Sequence, residues 1–167
     1  MVEVELIRCS LHRHTFKVRA IREWVERQCE GSVLNLFAGF ILLNAAETRN
    51  DIDPAAIAEY HSEALVFLRQ WKKEKFNTIL LDPPYSYRKS MELYNGNICS
   101  PFKQLKDALP GCLHRGGKVI TFGYHSVVMG RGRHFELERV CVFSHGGAIH
   151  DTIASVERYK IGSDLKM

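Results

Sequence analysis

Apolar and polar positions alternate between helix-like and strand-like periods from residue 18 to about residue 125, and two strand-like runs follow. Over 18–29, Val18, Ile21, Trp24, Val25 and Cys29 share one side of a predicted helix, while Arg19, Arg22, Glu23, Glu26 and Arg27 face water. Gly31 ends it. The apolar run 33–39, closing in Phe37-Ala38-Gly39, predicts a buried parallel strand, taken as the first of the sheet, that runs into a tight turn. A more polar strand is predicted over 47–53, and Asp53 caps an amphipathic helix with Pro54 in its first turn, extending to Trp71. The third strand, 76–81, stops at Asp82-Pro83-Pro84-Tyr85, because successive prolines cannot continue a ladder. Residues 86–100 read as a polar loop, and 101–114 as a helix broken near Pro110. A strand at 118–124 and a hairpin of 134–144 with 151–160, joined across Gly146-Gly147, complete the pattern. No element is assigned to residues 1–17. The order describes an α/β sheet, mostly parallel with an antiparallel C-terminal hairpin, in a single domain over 1–167.

Composition narrows the classes. With 167 residues, 46% hydrophobic and 25% charged, the chain suits one globular domain that needs no disulfide staples. Its most apolar stretch, 33–46, is interrupted by Asn35 and Asn44 and falls short of the roughly 18 residues of a membrane span, so no membrane partner is expected. No export signal is read at the amino terminus. The 5 cysteines are scattered without a Cys-x-x-Cys pair, which points to a reducing cytoplasm and to no structural zinc. A net charge of +4 permits a polyanionic partner without requiring one. His12-Arg13-His14 is read as solvated basic surface rather than a phosphate or metal contact; Arg88-Lys89 and Arg131-Gly132-Arg133 are either contacts to a nucleic-acid backbone or solvated loops; His125 either lines a pocket or is structural.

Ligands of open α/β sheets sit beyond the carboxyl ends of the strands. Here those ends carry a glycine turn at Gly39, an acid at Asp51 suited to ribose hydroxyls, and a carboxylate, stiff backbone and aromatic plate at Asp82-Pro83-Pro84-Tyr85. Together they suggest a nucleoside-containing cofactor beside a planar substrate.

These residues resemble the class I S-adenosylmethionine-dependent methyltransferases, specifically the amino-methyltransferases whose signature is Asp/Asn/Ser-Pro-Pro-Tyr/Phe/Trp. The resemblance runs over roughly residues 15–160 and implies a Rossmann-like sheet with S-adenosylmethionine as cofactor. Asn35-Leu36-Phe37-Ala38-Gly39 resembles the family's Asp-x-Phe-x-Gly turn around the methionine part, Asp51 the ribose-binding acid, and Ile52 the apolar neighbour that packs on adenine. Glu63-Ala64 is similar to the pair at the adenine amino edge, and Thr15-Phe16-Lys17 to the preceding cofactor segment. By the same resemblance, the Asp82 carboxylate and Pro83 carbonyl take the two hydrogens of an exocyclic amine, Tyr85 stacks on the base, and Asp82 also adjoins the cofactor. The implied reaction is methylation of adenine N6 in DNA, on a flipped or single-stranded base, without metal. RNA is the near alternative, and a non-catalytic nucleic-acid-binding subunit on the same fold is another. Asn35 departs from the pattern in place of the acid, and Ile41 in place of a second glycine. Gly39 and Asp51 also stand too close in sequence for a full helix between them. With no separate target-recognition domain, substrate selection falls to 86–100, to the amino terminus, or to a partner chain or second copy.

Overall fold

The strands β1 (Glu3–Arg8), β2 (Ser32–Asn35), β3 (Ala46–Arg49), β4 (Phe76–Leu81), β5 (Leu113–Gly123), β6 (Phe135–Ser144) and β7 (Thr152–Tyr159) form one sheet in the computed structural model, ordered β1-β6-β7-β5-β4-β2-β3. The structure describes residues 1–83, 101–147 and 149–161. Neighbouring strands are parallel except at β7, which runs antiparallel to both β5 and β6. The carboxyl ends of the parallel strands therefore share one edge with the amino end of β7. The strand order reverses between β2 and β4, which makes their ends the topological switch point.

Alternation along the strands divides the core into two layers. In β4, Ile79 and Leu81 join Leu34, Phe67, Leu105 and Val119, while Leu80 joins Ile21, Trp24, Val33, Phe122 and Phe143. Helix α1 (Arg19–Gln28) covers the second layer; α2 (Ala64–Gln70) and α3 (Pro101–Ala108) cover the first. Trp24 fixes α1, its ring meeting Phe122 and Phe143 edge-on and its Nε1 donating to Glu5 Oε1 at 3.0 Å. That bond, opposed by burial and helped by Arg139, holds the Glu5 carboxyl below its usual range. Gly31, at φ +53°, makes the turn out of α1 where the Asn77 side chain leaves no room for a Cβ.

The predicted strand order and closing hairpin match this arrangement, with three corrections. First, the sheet begins at β1, so the run 33–39 is not its first strand, and only Ser32–Asn35 of it is paired. Second, the helix expected from Pro54 to Trp71 is confined to Ala64–Gln70. Asp53 caps a turn instead, its Oδ1 accepting from Ala55 N at 2.8 Å, and Tyr60 is drawn into a parallel bridge with Asn50 that no helix can make. Third, Pro110 lies in a short 3₁₀ turn, and β5 starts at Leu113, within the helix expected over 101–114 and ahead of the strand expected at 118–124.

One buried carboxylate orders the β5–β6 crossover. Glu157 on β7 is fully buried; Oε2 accepts from Val128 N at 3.0 Å and Met129 N at 2.8 Å, and Oε1 accepts from Gly130 N at 2.9 Å. Glu157→Gln turns a donating amide toward these N–H groups and is expected to cost about 1–3 kcal/mol in urea unfolding. An unchanged midpoint and slope would count against this role.

Candidate functional site

The ends of β2, β3, β4 and β5, the start of β7, the 3₁₀ turn Thr15–Lys17 and the start of α2 surround a cavity of about 550 Å³ at the switch point. Phe16, buried and edge-on to Phe122 at 5.2 Å, packs its wall. Phe37, Ala38 and Gly39 follow β2; Asn50, Asp51 and Ile52 follow β3; Asp82 and Pro83 follow β4; Gly123 and Tyr124 close β5.

The link from β2 to β3 contains no helix, and a buried ion pair shapes it. Arg49 is 4% exposed; its Nη1 meets both carboxylate oxygens of Glu47 at 2.8 Å. Its Nη2 donates to Ala38 O at 2.8 Å and Gly39 O at 3.3 Å, and its Nε to Ile57 O at 2.6 Å. The guanidinium therefore satisfies carbonyls of the glycine turn directly. Asn35 belongs to the same cluster: its Nδ2 donates to Glu47 Oε1 at 2.8 Å, a contact a carboxylate at this position would turn into repulsion. Glu47 Oε2 also accepts from Leu43 N at 3.0 Å.

Asp51 holds the turn from its other side. Oδ2 accepts from Gly39 N at 2.8 Å and Oδ1 from Asp53 N at 2.9 Å, which leaves lone pairs on both oxygens for a ligand's hydroxyls. Gly39 sits at φ +60° with no atom within 4 Å of an added Cβ, so conformation rather than crowding requires glycine. His61 Nδ1 donates to Asp51 O at 3.2 Å and Asp53 O at 3.0 Å. Glu63 caps α2, with Oε2 accepting from Val66 N at 3.0 Å, while also facing the cavity. Asp51, Asp53, Glu63 and Asp82 make this part of the cavity acidic.

Of the residues singled out in the sequence, the cavity gathers Phe16, Phe37, Ala38, Gly39, Asp51, Ile52, Glu63, Ala64, Asp82 and Pro83. Lys17 is exposed outside its lining, and Asn35 is buried beside Glu47. Pro84, Tyr85 and the polar loop 86–100 lie outside the described residues. His125 is exposed and not part of the lining. Arg133 is committed to the fold, bonding Asp107 Oδ1 at 2.8 Å and Met129 O at 3.1 Å. Glu47 and Arg49 went unrecognised; a charged pair two positions apart in a short strand between apolar runs was their signal. Leu11, Arg13, His14, Tyr124 and Thr152 were also missed as lining residues.

A mostly parallel seven-stranded sheet with one reversed strand, and a cavity at its switch point, is the Rossmann-like fold of class I methyltransferases. Among solved structures, the chain is similar to TrmN from Thermus thermophilus (15% identity, TM-score 0.60), over 85% of this chain and 49% of that one. It is also similar to the N-methyltransferase NodS from Bradyrhizobium japonicum (12% identity, TM-score 0.62), covering 90% of this chain and 100% of that one. A third similar structure is aTrm5 in complex with tRNALeu (13% identity, TM-score 0.56), over 84% of this chain and 45% of that one. The chain thus spans about half the length of TrmN and aTrm5. At these identities, what is shared is the fold. No family profile and no curated protein matches the sequence. Among the described residues, no helix is long and apolar enough to cross a membrane.

Proposed function

We propose that the protein is an S-adenosylmethionine-dependent N-methyltransferase that modifies adenine N6 in DNA. The observation that carries this reading is the shared cavity: Asp82 and Pro83 line it together with the Gly39 turn, Asp51 and Glu63. The donor set suits the cofactor, because carboxylates favour a molecule bearing sulfonium and ammonium charges and ribose hydroxyls. Phe16, Phe37, Ala38, Gly39, Asp51, Ile52, Glu63 and Ala64 would hold it. When bound, it supplies an electrophilic methyl group.

The chain's own residues act on the amine. Adenine N6 is a weak nucleophile because its lone pair is delocalised into the ring. Hydrogen-bond acceptance by the Asp82 carboxylate and the Pro83 carbonyl localises that pair and aims it. Pro84 stiffens the backbone and Tyr85 stacks on the extruded base, roles the tetrapeptide assigns them. A duplex hides this nitrogen, so the base enters flipped or unpaired. RNA is the second reading, favoured by the similarity to a structure solved with tRNALeu.

The test is transfer of labelled methyl from S-adenosylmethionine to genomic DNA and to total RNA, followed by nucleoside digestion. Label in N6-methyladenine from one pool supports the reaction and names the polymer. No label in either pool overturns the one-chain enzyme and favours a non-catalytic binding subunit. Asp51→Ala is expected to weaken cofactor binding by about 10-fold or more, as a bond to a charged acceptor is lost and the Gly39 turn loosens. Calorimetric titration with S-adenosylmethionine measures this, and equal affinities would remove Asp51 from the cofactor site.

A further inference from the structure

The amino-terminal segment between β1 and the 3₁₀ turn lies along the same sheet edge as the acidic cavity, yet carries the opposite charge. Leu11, Arg13 and His14 line the first cavity. Arg8 and Cys9 line a second one, with Ser144, His145, His150 and Asp151 of the β6–β7 turn. The two cavities adjoin. His145 Nε2 lies 2.9 Å from Oγ1 of Thr152, a residue of the first cavity, and the His150 ring meets Tyr124 of the first cavity edge-on at 5.9 Å.

The segment is pinned in place. Cys9 N donates to Ser144 O at 3.0 Å, and His145 Nδ1 donates to Cys9 O at 3.2 Å. At its other end, His14 N donates to His12 Nδ1 at 3.0 Å, and the His14 ring meets Phe40 edge-on at 5.6 Å. Arg8 and Arg13 are both exposed, and among the described residues neither has a carboxylate partner. Arg13 instead donates from Nε to His14 Nε2 at 3.2 Å. Arg133, Arg139 and Arg158, in contrast, are held in ion pairs. Asp151 is the acid among the second cavity's lining, against Asp51, Asp53, Glu63 and Asp82 in the first.

We propose that the arm 8–14, with Ser144, His145, His150 and Asp151 beside it, forms the entrance by which a single nucleic-acid strand reaches the cavity, with Arg8 and Arg13 holding its phosphates. The choice of a polynucleotide rests on the function proposed above. Charge sets the direction: phosphates are repelled from Asp51, Asp53, Glu63 and Asp82 and attracted to the arm, so a base reaches Asp82 from the arm side. Phe40, 40% exposed in the lining, offers aromatic surface to an unpaired base, which is why a single strand fits rather than a closed duplex.

Fluorescence anisotropy with a short labelled oligonucleotide of mixed sequence, as DNA, as RNA and as a duplex, tests this on the full chain across a salt series. Wild type is expected to bind a single strand more tightly than the duplex. The doubly reversed variant Arg8→Glu/Arg13→Glu is expected to lose at least about 10-fold in affinity and to flatten the salt dependence by about 1–2 phosphate contacts. Arg8→Lys/Arg13→Lys keeps the charge and is expected to bind nearly as wild type. Absence of strand binding in the wild type, or an unchanged affinity and salt slope in the reversed variant, overturns the proposal. Cofactor binding and methyl transfer, measured alongside, separate the two ideas. Strand binding that collapses on reversal in a chain without transfer upholds the entrance and refutes the enzyme. Transfer in the wild type with a reversed variant that binds normally does the opposite.

Discussion

Replacing Arg49 with alanine is expected to lower the free energy of unfolding by about 3–5 kcal/mol, because it strands the Glu47 carboxylate in the interior. The side chain of Glu47 is only 5% exposed, so water cannot take the guanidinium's place. The same change releases the carbonyls of Ala38, Gly39 and Ile57, so the glycine turn should lose its shape along with its stability. Urea titration reads the first effect and S-adenosylmethionine titration the second. A loss below about 1 kcal/mol would mean that the pair is weakly held. The double variant Glu47→Gln/Arg49→Met should be milder than the single one, since neither partner is then left charged and alone. Asn35→Asp should destabilise from the other side by setting a second carboxylate against Glu47.

Asp82→Ala should reduce methyl transfer by at least about 100-fold, the usual scale for removing one preorganised acceptor or donor from a reacting group. Asp82 is partly exposed at the cavity wall, directly after the buried run Ile79, Leu80 and Leu81, so truncation removes chemistry with little packing. Single-turnover transfer isolates that step. Asp82→Asn, which keeps one carbonyl acceptor, should fall between the two. An alanine variant with wild-type rate would show that the amine is oriented by other groups, while a variant that also fails to unfold cooperatively would place Asp82 in the scaffold.

Those two expectations draw on different parts of the sequence. Asp82-Pro83 was legible because strand and stop coincide: Phe76–Leu81 closes on the apolar run Ile79-Leu80-Leu81, and proline ends the ladder at the sheet edge. The β6–β7 hairpin was legible from two alternating runs around paired glycines. Arg49 carried only the hint of an acid two positions before it, because its other partners are the carbonyls of residues 38, 39 and 57, which only the fold brings together. Tertiary pairing likewise overrode helix propensity at 55–63: Tyr60 N donates to Arg49 O at 3.2 Å and Asp51 N to Tyr60 O at 3.1 Å, so the backbone there serves the sheet. β1 did offer a period-two signal in Val2-Glu3-Val4-Glu5-Leu6. Its sense is inverted, however, with Val4 and Leu6 each 70% exposed and Glu5 turned toward Trp24, so an apolar-inside template passes over it.

The pairing of β1 with β6 joins segments that are far apart in the sequence. Arg8 lies beside Ser144, and Cys9 bonds to His145 across 136 residues. During synthesis Cys9 emerges 136 residues ahead of His145, so the arm has no strand to lie against until β6 follows. Contacts of such long span close late, after the loop entropy between them has been overcome. The basic arm therefore joins the cavity only once β6 exists, and a nascent chain halted before residue 144 carries an unmoored cationic segment.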